Sequence, residues 1–275
     1  MRRIRAELLV LRKRRSAWIL LAVWVALGVM FGYLLPYLTI RGGNTPAQAL
    51  VGVLPENLTD NVLGGFPVFG GVIALIMGVL AIGSDYGWDT LKTILTQRSG
   101  RVRMLGAKLA ALAITLSVFA GAMFAAGAAA SFLIATMESA PVSWQSPVQV
   151  GVALAAGWFV MAIWAGLGVM LAVLSRGTAL AIGLGVLYGL AVETLLMAIA
   201  GQVSFLQAAA EYSLRANAYS LVAALGVPAQ ALADNGPGGF SGPFVGTGHA
   251  LTVLTSYLVV GVALATATLS RRDVT

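Results

Sequence analysis

Six long apolar runs, at residues 17–38, 66–84, 109–136, 150–174, 178–200 and 249–269, dictate the fold class before any motif is considered. As a helix rising about 1.5 Å per residue, each run is of the length that crosses a hydrocarbon core of roughly 30 Å. A segment in lipid must satisfy its own backbone polar groups, and a helix does so. The sequence therefore predicts an all-α, polytopic membrane protein with six transmembrane helices in a single membrane domain. Composition agrees: 59% of residues are hydrophobic and only 10% are charged, against about 25% charged in globular domains. The 33 glycines fit the same class, because small residues let membrane helices approach closely. Gly28 and Gly32, and the set Gly183, Gly185 and Gly189, read as packing faces.

The first run exceeds the roughly 7–15 apolar residues of a signal peptide, and Ala47-Gln48-Ala49 lies well beyond its end, so it reads as a permanent span. Charge sets the orientation. The sequence pI is near 10.1, but the basic residues cluster at span ends rather than along one soluble face, so no nucleic-acid partner is expected. Of the 17 Lys and Arg residues, all but Arg41 and Arg215 fall in the segments that alternate to one side. By the positive-inside rule both termini are cytoplasmic, and the protein is a multi-pass protein of the cell membrane. Residues 1–16 carry Arg2, Arg3, Arg5, Arg12, Lys13, Arg14 and Arg15 around Ile4, Leu8, Leu9 and Leu11. This pattern predicts an amphipathic helix in the inner interface, its arginines against anionic membrane lipids. The tryptophans, Trp18, Trp24, Trp88, Trp144, Trp158 and Trp164, fall mostly near span ends and read as an aromatic belt.

Between the second and third spans, residues 85–105 form a polar island that must lie outside the bilayer. Trp88, Leu91, Ile94 and Leu95 make one apolar stripe, with Asp89, Lys92, Thr93 and Thr96 on the other side, which is the pattern of a short amphipathic helix. Asp85 is placed to cap its start and Ser99-Gly100 to end it. Residues 201–248 are too long for a simple connection. Their first half has helical spacing and few charges, and reads as re-entrant or interfacial helices on the outer side.

Glu193 is the one ionisable residue in the middle of a span, and Arg215 in the outer segment is a candidate partner. Two readings stand: a pathway or gating residue, or a carboxyl group bonded to a neighbouring helix backbone and serving packing. The chain has no cysteine and one histidine, His249, at the start of the last span, where a polar ring at the interface explains it. It has neither a phosphate-binding Gly-x-x-x-x-Gly-Lys-Ser/Thr loop nor a Ser/His/Asp set, so it is not expected to be an enzyme.

The order Asp85-x-Gly87-x-Asp89-Thr90-Leu91-x-x-x-Leu95-Thr96-x-x-x-x-Arg101-x-x-x-Leu105-x-x-Lys108 resembles the cytoplasmic loop of ABC-2 type transporter permeases. Asp85 stands where that family usually has Glu, and Trp88-Asp89 separates the glycine from the threonine. The start Arg5 to Arg15, the turn Ser175-Arg176-Gly177, and the run Leu214-x-x-Asn217-Ala218 are similar to the family as well. The resemblance implies an ABC-2 (type V) exporter-like fold and a permease with no cofactor of its own, ATP and Mg belonging to a partner ABC ATPase subunit. It implies a second permease subunit, identical or homologous. It assigns Asp85, Gly87, Trp88, Asp89, Thr90, Leu91, Leu95, Arg98, Arg101 and Arg103 to coupling with the ATPase. The expected function is ATP-driven export of a hydrophobic or amphipathic substrate. A non-transporting membrane scaffold or sensor, or an intramembrane enzyme, are the alternatives.

Overall fold

The computed structural model describes residues 2–43, 47–87, 100–200, 203–233, 240 and 242–271. Every regular element among them is helical, and six helices are long and apolar enough to cross a membrane. Helix α1 (Arg2–Lys13) leads into α2 (Arg15–Arg41). A connecting stretch with a short helix α3 (Leu58–Gly64) precedes a π turn at Phe66–Gly70 and α4 (Gly71–Gly87). Then follow α5 (Arg101–Met137), α6 (Pro147–Ser175) and α7 (Thr178–Ala200). Three short helices, α8 (Ser204–Glu211), α9 (Leu214–Ala224) and α10 (Ala229–Ala233), precede α11 (Thr247–Arg271).

Local chemistry explains the boundaries. Ser146 accepts the backbone NH of Gln149 while the Gln149 side chain returns to the Ser146 NH, a capping box that starts α6 with Pro147 in its first turn. Ser175 and an αL Arg176 (φ 57°) end it. Pro36 follows the π turn Met30–Leu34 in α2, and Pro67 lies inside the one before α4. A proline cannot donate in the helical ladder, and a locally widened turn absorbs that loss. The π turn Leu187–Val192 in α7 has no proline and ends at Glu193.

The bundle is built around α4. In its most apolar window 78% of residues are buried, against 61% in α6 and 11% in α2, so α4 is the axis and α2 lies on the outside. Helices α4 and α6 meet at glycines: a methyl group on Gly78 would run into the Ala165 carbonyl, and one on Gly168 into that of Leu75. Gly28, Gly185 and Gly189 likewise pack, against Met123, Leu75 and Trp164. Gly183 does not: among the described residues nothing lies within 4 Å of the position its side chain would take, so it leaves the packing face expected of it.

Two tryptophans also depart from the belt expected of them. Trp24 is fully buried edge-on to Phe66, with ring centroids 5.1 Å apart, and Trp164 is buried against Gly71, Gly189 and Tyr188. Both fall mid-span, where an indole fills the volume that small neighbours leave between helices.

Candidate functional site

Two constructions stand out, one at each end of the bundle. At the first end, α5 is a single helix of 37 residues, roughly 55 Å long, and so overshoots the hydrocarbon core. Its start at Arg101 lies eight residues before the apolar run that marks the third span. Gly100 is its N-cap, its carbonyl accepting from Arg103 and Met104. Helix α4 correspondingly runs on to Gly87. Asp85 thus sits within the last turn of α4 rather than at the head of a new helix, because the apolar ladder of α4 continues through Ser84 without a break. Asp85 and Gly87 end α4, and Arg101 and Arg103 begin α5. Trp88, Asp89, Thr90, Leu91, Leu95 and Arg98 lie outside the described residues.

The helix α1 is clasped to this end. The buried Lys108 on α5 donates to Glu7 Oε2 at 3.0 Å and to the Ala81 carbonyl on α4 at 3.3 Å. Arg14, in the turn after α1, donates through Nη1 to the Leu80 carbonyl at 2.6 Å. One basic residue at each place thereby ties α1 to the two helices that flank residues 88–99. Sequence reasoning placed Arg14 among the interfacial arginines and Lys108 at the end of the ABC-2-like motif, and did not single out Glu7. The partners are 101 and 66 residues apart, and no local pattern joins them.

At the opposite end, α8 turns back along α7, and α9 begins where α8 stops. Glu193 is seven positions before the end of α7, so the α8–α9 junction beside it lies about 10 Å inside that end. Backbone broken at such a depth needs partners for every freed group. At the start of α9, Glu193 Oε1 accepts the Leu214 NH at 2.9 Å and the Arg215 NH at 3.3 Å, and Ser213 Oγ accepts the Ala216 NH at 3.1 Å. At the end of α8, the Glu211 carbonyl accepts from Asn217 Nδ2 at 2.8 Å and faces His249 Nε2 at 3.2 Å. The Tyr212 carbonyl accepts from Tyr257 Oη at 3.2 Å.

Glu193 is 1% exposed and Arg215 5% exposed, and the structure brings them together. Glu193 Oε1 meets Arg215 through its backbone NH, while Arg215 Nη1 donates to Thr194 Oγ1 at 2.7 Å. The two residues expected to pair thus meet through a main-chain cap, and the guanidinium also bonds Thr194. Tyr188 and Tyr257 are further neighbours that interact with the Glu193 carboxylate. Glu193 Oε2 is buried without a hydrogen bond among the described residues. His249 takes the role of a cap for α8. The signal for this junction was present in Ser213, a helix N-cap residue directly before an apolar run. The arrangement orders backbone and has no nucleophile and base in contact.

Residues 3–192 match the family described as ABC-2 family transporter protein, more than half of the chain. The match stops one residue before Glu193, so the junction that Glu193 caps lies beyond it. No curated protein matches the chain at a significant level. With six apolar helices in the arrangement above, the chain belongs to the ABC-2 transporter family, as one of its multi-pass membrane permeases.

Proposed function

We propose that this chain is the permease subunit of an ATP-driven exporter, with both termini and residues 85–105 on the cytoplasmic face. A separate ABC ATPase binds ATP and Mg, and a second permease subunit, identical or homologous, completes the pathway. The observation that carries this reading is the placement of α4. It is the most buried of the six helices, it runs straight into residues 88–99, and its last turns are gripped by Arg14 and Lys108. A displacement of those residues by an ATPase would therefore be delivered to the axis of the bundle and, through α1, to the interface around it.

Apart from Glu193, the spans carry no charged residue in their middle, which favours a hydrophobic or amphipathic substrate over an ion or a sugar. Glu193 and Arg215 fix the outer, re-entrant pair α8–α9 as the gate on that side. The test is co-purification. An ATPase subunit is expected to accompany the wild-type chain and to be lost from Leu91→Asp or Leu95→Asp. An ATPase retained by both variants at wild-type stoichiometry would refute the coupling assignment.

A further inference from the structure

A cleft of about 280 Å³ opens between α1, α2 and α5. Leu8 from α1, Trp18 and Leu21 from α2, and Ile114 and Val118 from α5 form its walls, and Arg12 stands at its rim. We propose that it is a binding site for one anionic glycerophospholipid from the leaflet in which α1 lies, an acyl chain filling the cleft and Arg12 holding the phosphate. The proposal rests on the chain being a membrane protein and is independent of its coupling to an ATPase.

Three observations carry it. The cleft is held open: on its other edge α1 is fixed by the Glu7–Lys108 pair and by Arg14 on Leu80, and the Trp18 indole is pinned by its Nε1 donating to the Arg12 carbonyl at 2.8 Å. Its own walls are apolar and accessible, with Trp18 58%, Val118 57% and Ile114 46% exposed, so its open side meets acyl chains. Its rim is cationic. Arg12, which lines it, is exposed, as are Lys13 and Arg15 close by in sequence, and Glu7, the one acidic residue before Glu56, is already committed to Lys108.

A planar guanidinium beside an apolar slot fits a phosphate diester with a net negative charge better than a neutral headgroup, and it is not matched by a protein helix, which would need an acidic residue at the rim. Each basic side chain near an anionic headgroup adds on the order of fivefold in affinity.

The full chain, purified in mild detergent with whatever subunits accompany it and stripped of lipid, is titrated with phosphatidylglycerol or with phosphatidylcholine of the same chains and read by native mass spectrometry. One phosphatidylglycerol per chain is expected, bound at least about fivefold more tightly than phosphatidylcholine. Val118→Trp, which plugs the cleft from a side chain 57% exposed in the fold, abolishes that adduct without lowering the melting temperature. Ile114→Trp, also exposed, does the same if the first variant is poorly made. Arg12→Gln leaves the adduct and removes the preference. Equal binding of the two lipids by the wild-type chain, or an adduct that survives the plugging variant, overturns the proposal.

Discussion

The carboxylate of Glu193 accepts the backbone NH of Leu214 at 2.9 Å, joining a membrane-spanning helix to the buried start of another. Two main-chain donors, Leu214 and Arg215, depend on that one oxygen. Glu193→Ala leaves both unsatisfied in a buried place and is expected to cost about 1–3 kcal/mol of stability. Glu193→Gln keeps an acceptor oxygen and should cost less. Thermal unfolding of the two variants in detergent checks this. Equal losses would mean that the hydrogen bonds are not what Glu193 supplies.

The clasp of α1 yields a second prediction. Lys108 is 5% exposed, so Glu7→Gln takes the opposite charge from a buried ammonium, and Lys108→Met leaves a carboxylate that is partly exposed and can turn to water. The Glu7 variant is therefore the more damaging of the two single changes. In a double-mutant cycle the pair should show a coupling of about 1–3 kcal/mol. Additive effects would show that α1 is not held by this contact. If α1 transmits motion between the flanks of residues 88–99, both variants also lower transport more than they lower the ATPase rate.

At the opposite end, Glu138 after α5 accepts from the Tyr37 hydroxyl and pairs with Arg41 Nε at 3.0 Å, stapling the ends of α2 and α5. The Tyr37 hydrogen bond, aided by the Arg41 charge, holds the Glu138 carboxyl below its ordinary value of 4.5. A group whose acidity is strengthened by folding stabilises the fold above its unfolded value and loses that contribution as pH falls through its folded value. The melting temperature is expected to decline on acidification below about pH 4.5. Glu138→Gln should remove that part of the decline and leave the neutral-pH protein slightly less stable. A wild-type and variant pair with parallel pH profiles would dismiss the staple.

The parts of this fold that were legible in the sequence are those set by one segment at a time. Run length and hydropathy give the spans, and the spacing of Ile4, Leu8, Leu9 and Leu11 gives α1 as an amphipathic helix, although Leu9 is exposed and it is Leu8 and Leu11 that pack on the core. What the chain hides is what two distant segments decide together. Trp24 and Trp164 look like interface residues because tryptophan commonly is one. Only the small neighbours supplied by other helices, Gly70 for the first and Gly71 and Gly189 for the second, make room for them inside. Asp85 looks like a helix start because an acidic residue before an amphipathic stretch is a common N-cap, but the helix that precedes it runs on to Gly87. Glu193 was conspicuous as a charge in an apolar run. That it caps α9 depends on α8 reversing the chain, which no periodicity records.

The glycines offer the sharpest contrast between a helix in contact and a helix on the surface. At Gly78 and Gly168 the facing atoms are backbone carbonyls, which cannot swing aside as a side chain would, so α4 and α6 must separate to admit even one carbon. Gly78→Val and Gly168→Val are expected to abolish folding or to lower stability by more than about 3 kcal/mol, in the range of overpacked cores and beyond. Gly183 has no neighbour within 4 Å among the described residues. Gly183→Ala therefore meets no steric cost and gains helix propensity, which is worth about 1 kcal/mol in a helix interior. Yields of folded, monodisperse protein and melting temperatures of the three variants decide the matter. A well-folded Gly78→Val, or a damaged Gly183→Ala, would show that the α4–α6 contact is not the axis of the bundle.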